Sequence, residues 1–204
     1  MAVIHNAELR PSKLAAISGW LPQQRWSGVA PGTTVEQVGR FRFDDPAGEV
    51  GVETYLVRAG SGPVLHVPLT YRGAPLDGAE AFLVTEMDHS VLGRRWVYDA
   101  VGDPVYADVV RRAVATGGHE AVLERADGSG TFDGEGSAVG SGSAADSPAV
   151  TGVRAETTGS VTTVATGHGA LAVLRVVGTP VPAGDHLTAT WGDGEHGVVV
   201  VLLD

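Results

Sequence analysis

The chain has 204 residues, 43% hydrophobic and 19% charged, enough for one ordinary domain or two small ones and too apolar for wholesale disorder. A formal charge of −10 and a pI near 5.0 set it against phosphodiester backbones and anionic lipid, so neither nucleic acid nor a membrane is expected as a partner. Without cysteine it has no disulfide, no thiolate metal site and no cysteine nucleophile.

Taken in order, Ser12 to Leu21 reads as a helix, with Leu14, Ile17 and Leu21 on one face, Ser12 as N-cap and Pro22 as a stop. Gly19 costs that helix about 1 kcal/mol against alanine, so it needs tertiary packing. Gln23-Gln24-Arg25-Trp26-Ser27-Gly28 leaves it as a loop. Val35 to Phe43 is an expected strand, turned by Asp44-Asp45-Pro46.

Next come Val52 to Arg58 and Val64 to Arg72, two runs split by Ala59-Gly60-Ser61-Gly62-Pro63, which is a hairpin pattern. In the second run Leu65, Val67, Leu69 and Tyr71 share one face while His66, Pro68 and Thr70 share the other, which predicts a strand with one side on a core. Pro68 cannot donate a ladder hydrogen bond and is expected beside a bulge or an edge.

Ala81 to Val84 reads as a strand or one turn of helix, and Val91 to Tyr98 as a strand. Asp103-Pro104 opens a second helix, with Asp as cap and Pro at the first position; Gly117-Gly118 closes it. Ala121 to Glu124 is a short strand candidate. From Asp127 to Asp146 half of the positions are Gly or Ser, so residues 127–148 read as a flexible linker. Beyond it Val150 to Thr157, Val161 to Thr166, Leu171 to Val177, Leu187 to Trp191 and Val198 to Leu203 are expected strands. No basic segment leads into an apolar run at the N-terminus, and the longest apolar stretch, Val198 to Leu203, cannot span a bilayer. A cytoplasmic protein is expected.

The glycine-rich stretch lacks the Gly-x-x-x-x-Gly-Lys-Ser/Thr pattern of a phosphate loop, and no lysine follows Lys13. The seven histidines, His5, His66, His89, His119, His168, His186 and His196, are dispersed without metal-site spacing, so no metal and no other cofactor is expected. His66 reads as a half-exposed sheet residue. Asp99 and Asp103 are spaced like a helix pair, but the cap role claims Asp103, and structural duties are preferred over paired acid–base carboxylates. No Gly-x-Ser-x-Gly elbow offers a serine nucleophile. Gln23-Gln24-Arg25-Trp26 is the best polar–aromatic cluster, in which an arginine beside a tryptophan can stack and hold a carboxylate; a Trp anchoring a loop while the Arg pairs locally is the preferred reading.

Several segments in order resemble the N-terminal cap of actinobacterial maltokinases: Glu8-Leu9-Arg10-Pro11, Trp20-Leu21-Pro22-x-x-Arg25-Trp26, Val67-Pro68-Leu69-Thr70-Tyr71-Arg72, His89-Ser90-Val91-Leu92-Gly93, Trp96-Val97-Tyr98-Asp99-Ala100, Gly102-Asp103-Pro104-Val105-Tyr106 and Thr116-Gly117-Gly118. The resemblance runs from about Ala7 to Arg125. It implies a helix packed on a curved antiparallel sheet, similar to a cystatin, seated on the N-lobe of a kinase that phosphorylates maltose with ATP. Past the linker, Glu156 to Val164 resembles the family's turn between two N-lobe strands and Leu171 to Val176 the strand that carries its ATP-contacting lysine, a position that falls on Leu174 in that register. Leucine cannot contact phosphate. The sequence read here stops at Asp204, so the lobe carrying the catalytic Asp and Mg²⁺ ligands is expected to be absent.

The expected fold is therefore α+β, with residues 1–126 as a cap-like domain, 127–148 as linker and 149–204 as a small, mostly antiparallel β unit resembling a reduced kinase N-lobe. The two folded parts are expected to pack together, because the second is small for an independent core. The expected function is non-catalytic, as an interaction or regulatory module of trehalose, maltose and α-glucan metabolism with a protein partner or a second copy of itself. Two alternatives stand beside it. One is binding of a carbohydrate or other small ligand on a concave sheet, with Arg25, Trp26, Tyr55, Tyr71, Arg72 and Trp96 as candidate contacts. The other is an accessory subunit of a split sugar kinase.

Overall fold

The computed structural model describes residues 2–4, 8–125, 130–132, 134–180 and 182–203. In chain order the elements are β1 (Ala2–Ile4), β2 (Leu9–Arg10), α1 (Lys13–Trp20), β3 (Val35–Asp44), β4 (Gly51–Ala59), β5 (Val64–Arg72), β6 (Leu83–His89), β7 (Gly93–Asp99), α2 (Pro104–Thr116), β8 (Leu123–Arg125), β9 (Thr131–Phe132), β10 (Gly136–Gly140), β11 (Arg154–Thr158), β12 (Val161–Thr166), β13 (Gly169–Leu174), β14 (His186–Trp191) and β15 (Glu195–Leu203). One sheet, curled and antiparallel, has the order β2-β6-β7-β5-β4-β3. A second antiparallel sheet has the order β10-β14-β15-β13-β12-β11, and β1, β8 and β9 make a small third one. Among the described residues no helix is long and apolar enough to cross a membrane.

Both helices start where their caps dictate. The Ser12 side chain accepts from the Ala15 N–H, and the chain tightens at Leu21–Gln23 into a 3₁₀ turn containing Pro22. Asp103 accepts from the Val105 N–H with Pro104 in the first turn, and Gly117, at φ 68°, caps the end of α2 in the left-handed region. Helix α1 is held by burial and not by propensity. Ile17, Trp20 and Leu21 press on Tyr55, Val57, Leu65, Val67, Leu69 and Val97 of the first sheet. A fully buried side chain of that size contributes about 1.5–3 kcal/mol, which outweighs the cost of Gly19.

The opposite face of the same sheet carries Phe41, Phe43, Val52 and Leu56, and these share one core with α2 and with Val164, Leu171, Val173, Leu187, Ala189 and Val200 of the second sheet. Helix α1 therefore covers one face of the first sheet, and α2 and the second sheet together cover the other. Contact between the sheets is close enough at β3 that a Cβ on Gly39 would meet the Trp191 Cβ at 2.6 Å.

Strand β5 ties the halves together. Along one edge it pairs with β4 from Gly51↔Tyr71 to Arg58↔Val64. Along the other it changes partner. Leu69 to Arg72 pair with β7, whereas Leu65 bridges Val176, the His66 N–H donates to the Arg175 carbonyl at 2.9 Å, and the Val177 N–H donates to the Val64 carbonyl at 2.9 Å. Pro68 falls between these two pairings. Donors alternate along a strand, so the missing Pro68 N–H is on the His66 side, where neither neighbour needs it.

Three expectations need correcting. His66 is 1% exposed rather than half-exposed, and Thr70 is fully buried, so β5 is covered on both faces. The polar side of the strand faces the second sheet, not water. The second correction concerns 127–148, expected as a flexible linker. Residues 127–129 and 133 lie outside the described residues, but Gly136–Gly140 pair with β14 from Gly136↔Trp191 to Gly140↔Leu187, and Ala138 and Ser147 are buried. Third, Val91 and Leu92 sit in an exposed turn between β6 and β7, so the expected strand begins at Gly93 and follows a strand, Leu83–His89, that the sequence reading reduced to its first residues.

Glycine composition is what lets β10 form. A Cβ on Gly140 would stand 1.9 Å from the Ala113 carbonyl oxygen of α2, and one on Gly142 2.2 Å from that of Ala115. Only glycine allows the strand this close to the helix. Gly140→Ala is accordingly expected to lower the urea midpoint by an amount equivalent to about 1–3 kcal/mol, the usual cost of overpacking. An unchanged midpoint would mean that the segment does not dock in solution.

Candidate functional site

Adjacent strands and α1 assemble a first polar network on the outer face of the first sheet. Lys13 lies one residue inside the capped start of α1, and its Nζ donates to Glu53 Oε1 at 2.7 Å and Oε2 at 2.6 Å. The Tyr55 hydroxyl, two residues along β4 and so on the same face, donates to Glu53 Oε2 at 2.6 Å. Lys13 also stands 4.8 Å from the centroid of the Tyr71 ring. Burial alone would raise the Glu53 carboxyl, but the Lys13 cation and hydrogen bonds override it and hold the group below the usual range. Burial and the charge of Glu53 push Tyr55 well up, and burial and Tyr55 do the same to Tyr71. At neutral pH this network holds a fixed ion pair and firmly protonated phenols. Nothing in it is poised to exchange a proton.

The second network occupies the gap in which β5 changes partner. Arg175 is 1% exposed. Its Nη1 and Nη2 donate to the Asp99 carboxylate at 3.0 Å and 2.6 Å, and its Nε donates to Thr162 Oγ1 at 2.8 Å. The guanidinium carbon is 4.9 Å from the centroid of the Trp26 ring, and Trp26 packs edge-on against Trp20 at 5.8 Å. One cation from the second half thus engages the end of β7, the loop after α1 and strand β12 together. His66 stands beside it, with Nδ1 3.1 Å from the Leu174 carbonyl. Burial, and then the Arg175 charge, push the His66 imidazole down to about 3. The Tyr106 phenol of α2, buried near the same pair, is pushed up by burial.

A third pair fixes the start of α2. Arg72 Nε and Nη2 donate to Asp103 at 2.7 Å each, while the same carboxylate caps the helix. Asp103 is fully buried, and the hydrogen bond to it raises the Arg72 guanidinium further.

These contacts account for most of the residues that the sequence offered as ligand contacts. Tyr55 and Tyr71 meet each other beneath α1. Trp26 does stack on an arginine, but on Arg175 and not on the neighbouring Arg25, which is exposed. Arg72 and its register partner Trp96 lie on the face opposite Tyr71, because successive strand residues point to opposite sides. The aromatic candidates therefore do not line one concave site. Leu174 is fully buried in β13. Open clefts lie elsewhere: one of about 270 Å³ is bordered by Phe43, Val109, Thr116 and His119, and another of about 480 Å³ by Val38, Glu120, Glu135 and Thr190. Among the described residues no group of three or more His, Asp or Glu comes together as a metal site.

Arg175 was missed from sequence because its carboxylate partner is 76 positions away. The available signal was the arginine itself, a lone charge inside the apolar run Leu171-Ala172-Val173-Leu174-Arg175-Val176-Val177.

No curated protein matches the chain significantly. A family model, that of the maltokinase N-terminal cap domain, matches residues 20–103, from Trp20 on α1 to the Asp103 cap of α2. The stretch is less than half of the chain, but it contains most of the first sheet, Trp26, Asp99 and the Arg72–Asp103 pair. Over residues 20–103 this protein carries a maltokinase N-terminal cap-like domain.

Proposed function

We propose that the protein is a non-catalytic, cap-like module that acts by binding a protein partner in trehalose, maltose and α-glucan metabolism. The observation that carries the non-catalytic reading is at Leu174. Where the resemblance to a kinase N-lobe would put a nucleotide-contacting lysine, the side chain is apolar and fully buried. The adjacent cation, Arg175, is already bound to Asp99 and Thr162. On this reading the first sheet with α1 is a cystatin-like cap and the second sheet a reduced, pseudokinase-like N-lobe, both working in the cytoplasm. The pathway comes from the cap match at 20–103, an analogy at the level of family.

The test is affinity capture with the full chain as bait, run beside melting curves with and without ATP and Mg²⁺. Capture of an α-glucan or trehalose enzyme that survives changes of salt is the expected result, with a melting temperature indifferent to nucleotide. A ligand at a hundred times its Kd adds about 2.7 kcal/mol, several degrees for a chain of this size. A rise of that order would overturn the non-catalytic reading, and capture of no such enzyme would overturn the partner.

A further inference from the structure

Strand β11 is the open end of the second sheet. Among the described residues it pairs only with β12, from Arg154↔Ala165 to Thr158↔Val161, through a turn of two residues, Gly159 and Ser160. In a hairpin of that length the flanking pair, Thr158 and Val161, is hydrogen-bonded. Bonding then alternates. The backbone groups of Glu156 and Arg154 point to β12, and those of Val153, Ala155 and Thr157 point out along the free edge. On the side-chain axis, Arg154 and Glu156 share one exposed face, whereas Val153 and Ala155 pack against the core. Among the described residues neither Arg154 nor Glu156 makes an ion pair.

We infer that this edge is a self-association surface, and that its occupant is β11 of a second copy of the chain. The argument is charge complementarity under reversal. Antiparallel pairing about a two-fold axis at Ala155 sets Ala155 against Ala155 and Val153 against Thr157, the residues whose backbone donors and acceptors face outward. The same register places Arg154 of each copy directly opposite Glu156 of the other. Those are non-hydrogen-bonded positions, where side chains approach most closely. The order Arg-x-Glu is matched by its own reverse, and the small Ala155 sits at the axis where bulk would hold the strands apart. The second sheets of the two copies become one continuous sheet. The edge then has a partner instead of being left open to any strand.

Sedimentation equilibrium on the full chain tests this. The wild type is expected to dimerise. Arg154→Glu alone, or Glu156→Arg alone, puts like charges opposite each other twice about the axis and is expected to weaken the dimer by about tenfold or more. Combining the two reversals restores complementarity and is expected to restore the dimer. Ala155→Pro removes an outward donor that β12 does not use, and should give a folded monomer by circular dichroism. A wild type that stays monomeric up to millimolar concentration overturns the proposal, as does a dimer that tolerates either single reversal, or one that the double reversal fails to rescue. Should one reversal unfold the chain, the other reversal and the double variant carry the comparison.

Discussion

Arg175→Met is expected to lower the unfolding free energy by about 3–5 kcal/mol, the cost of leaving a buried carboxylate without its cation. Asp99 is 5% exposed and cannot recover solvent without opening the gap between the halves. The same substitution removes the donor to Thr162 and the cation over Trp26, so its effect reaches β12 and the loop after α1 as well as β7. The decisive comparison is with Asp99→Leu and with the double variant. Two desolvated charges contribute little net once both are gone, because the penalty of removing them from water offsets most of their attraction. The double variant should therefore recover much of the lost stability, and urea titrations of the set of four measure the coupling. If the two single losses simply add, the pair is not the fastening that its geometry indicates.

A fall of about 2 kcal/mol between pH 7 and pH 5 is the second expected result, and it belongs to His66. The folded chain holds this imidazole at about 3, below its ordinary 6.5, since protonation would bury a second cation beside Arg175. The unfolded chain thus binds the proton first. The contribution is present above pH 6.5 and is lost progressively as pH falls toward 3, at about 1.4 kcal/mol per unit in the intervening window. Glu53 works in the same direction, but only below the ordinary carboxylate range, so the interval from pH 7 to pH 5 separates the two. His66→Asn keeps an amide donor near the Leu174 carbonyl and removes the titration. Its stability should change less across that interval than the wild type's, by roughly the 2 kcal/mol at issue. Parallel curves would remove His66 from the account of acid sensitivity.

Local chemistry made parts of this fold readable in advance. Asp103-Pro104 and Gly117 mark α2 because capping needs no knowledge of the rest of the chain. The β4–β5 hairpin is visible for the same reason, since its alternation and its turn lie within two dozen residues. Strand β10 was hidden because its place depends on a helix twenty residues upstream and a strand nearly fifty downstream, while its own glycines argue for coil. The candidate site divides the same way. Tyr55 and Tyr71 were recognised as aromatic and Arg72 as cationic, but whether each faces a ligand or the interior depends on strand parity and on α1. Asp99 was considered, yet only as a possible partner for Asp103. Its actual partner, Arg175, comes from the other half of the chain.

The divided edge of β5 bears on how far the matched stretch could stand by itself. The family match ends at Asp103, but β5, inside it, borrows half of a ladder from Arg175–Val177, far outside it. A polypeptide cut to residues 20–103 would keep an open strand edge on β5 and an Asp99 without its cation. Here the stretch that matches the family is shorter than the unit that folds.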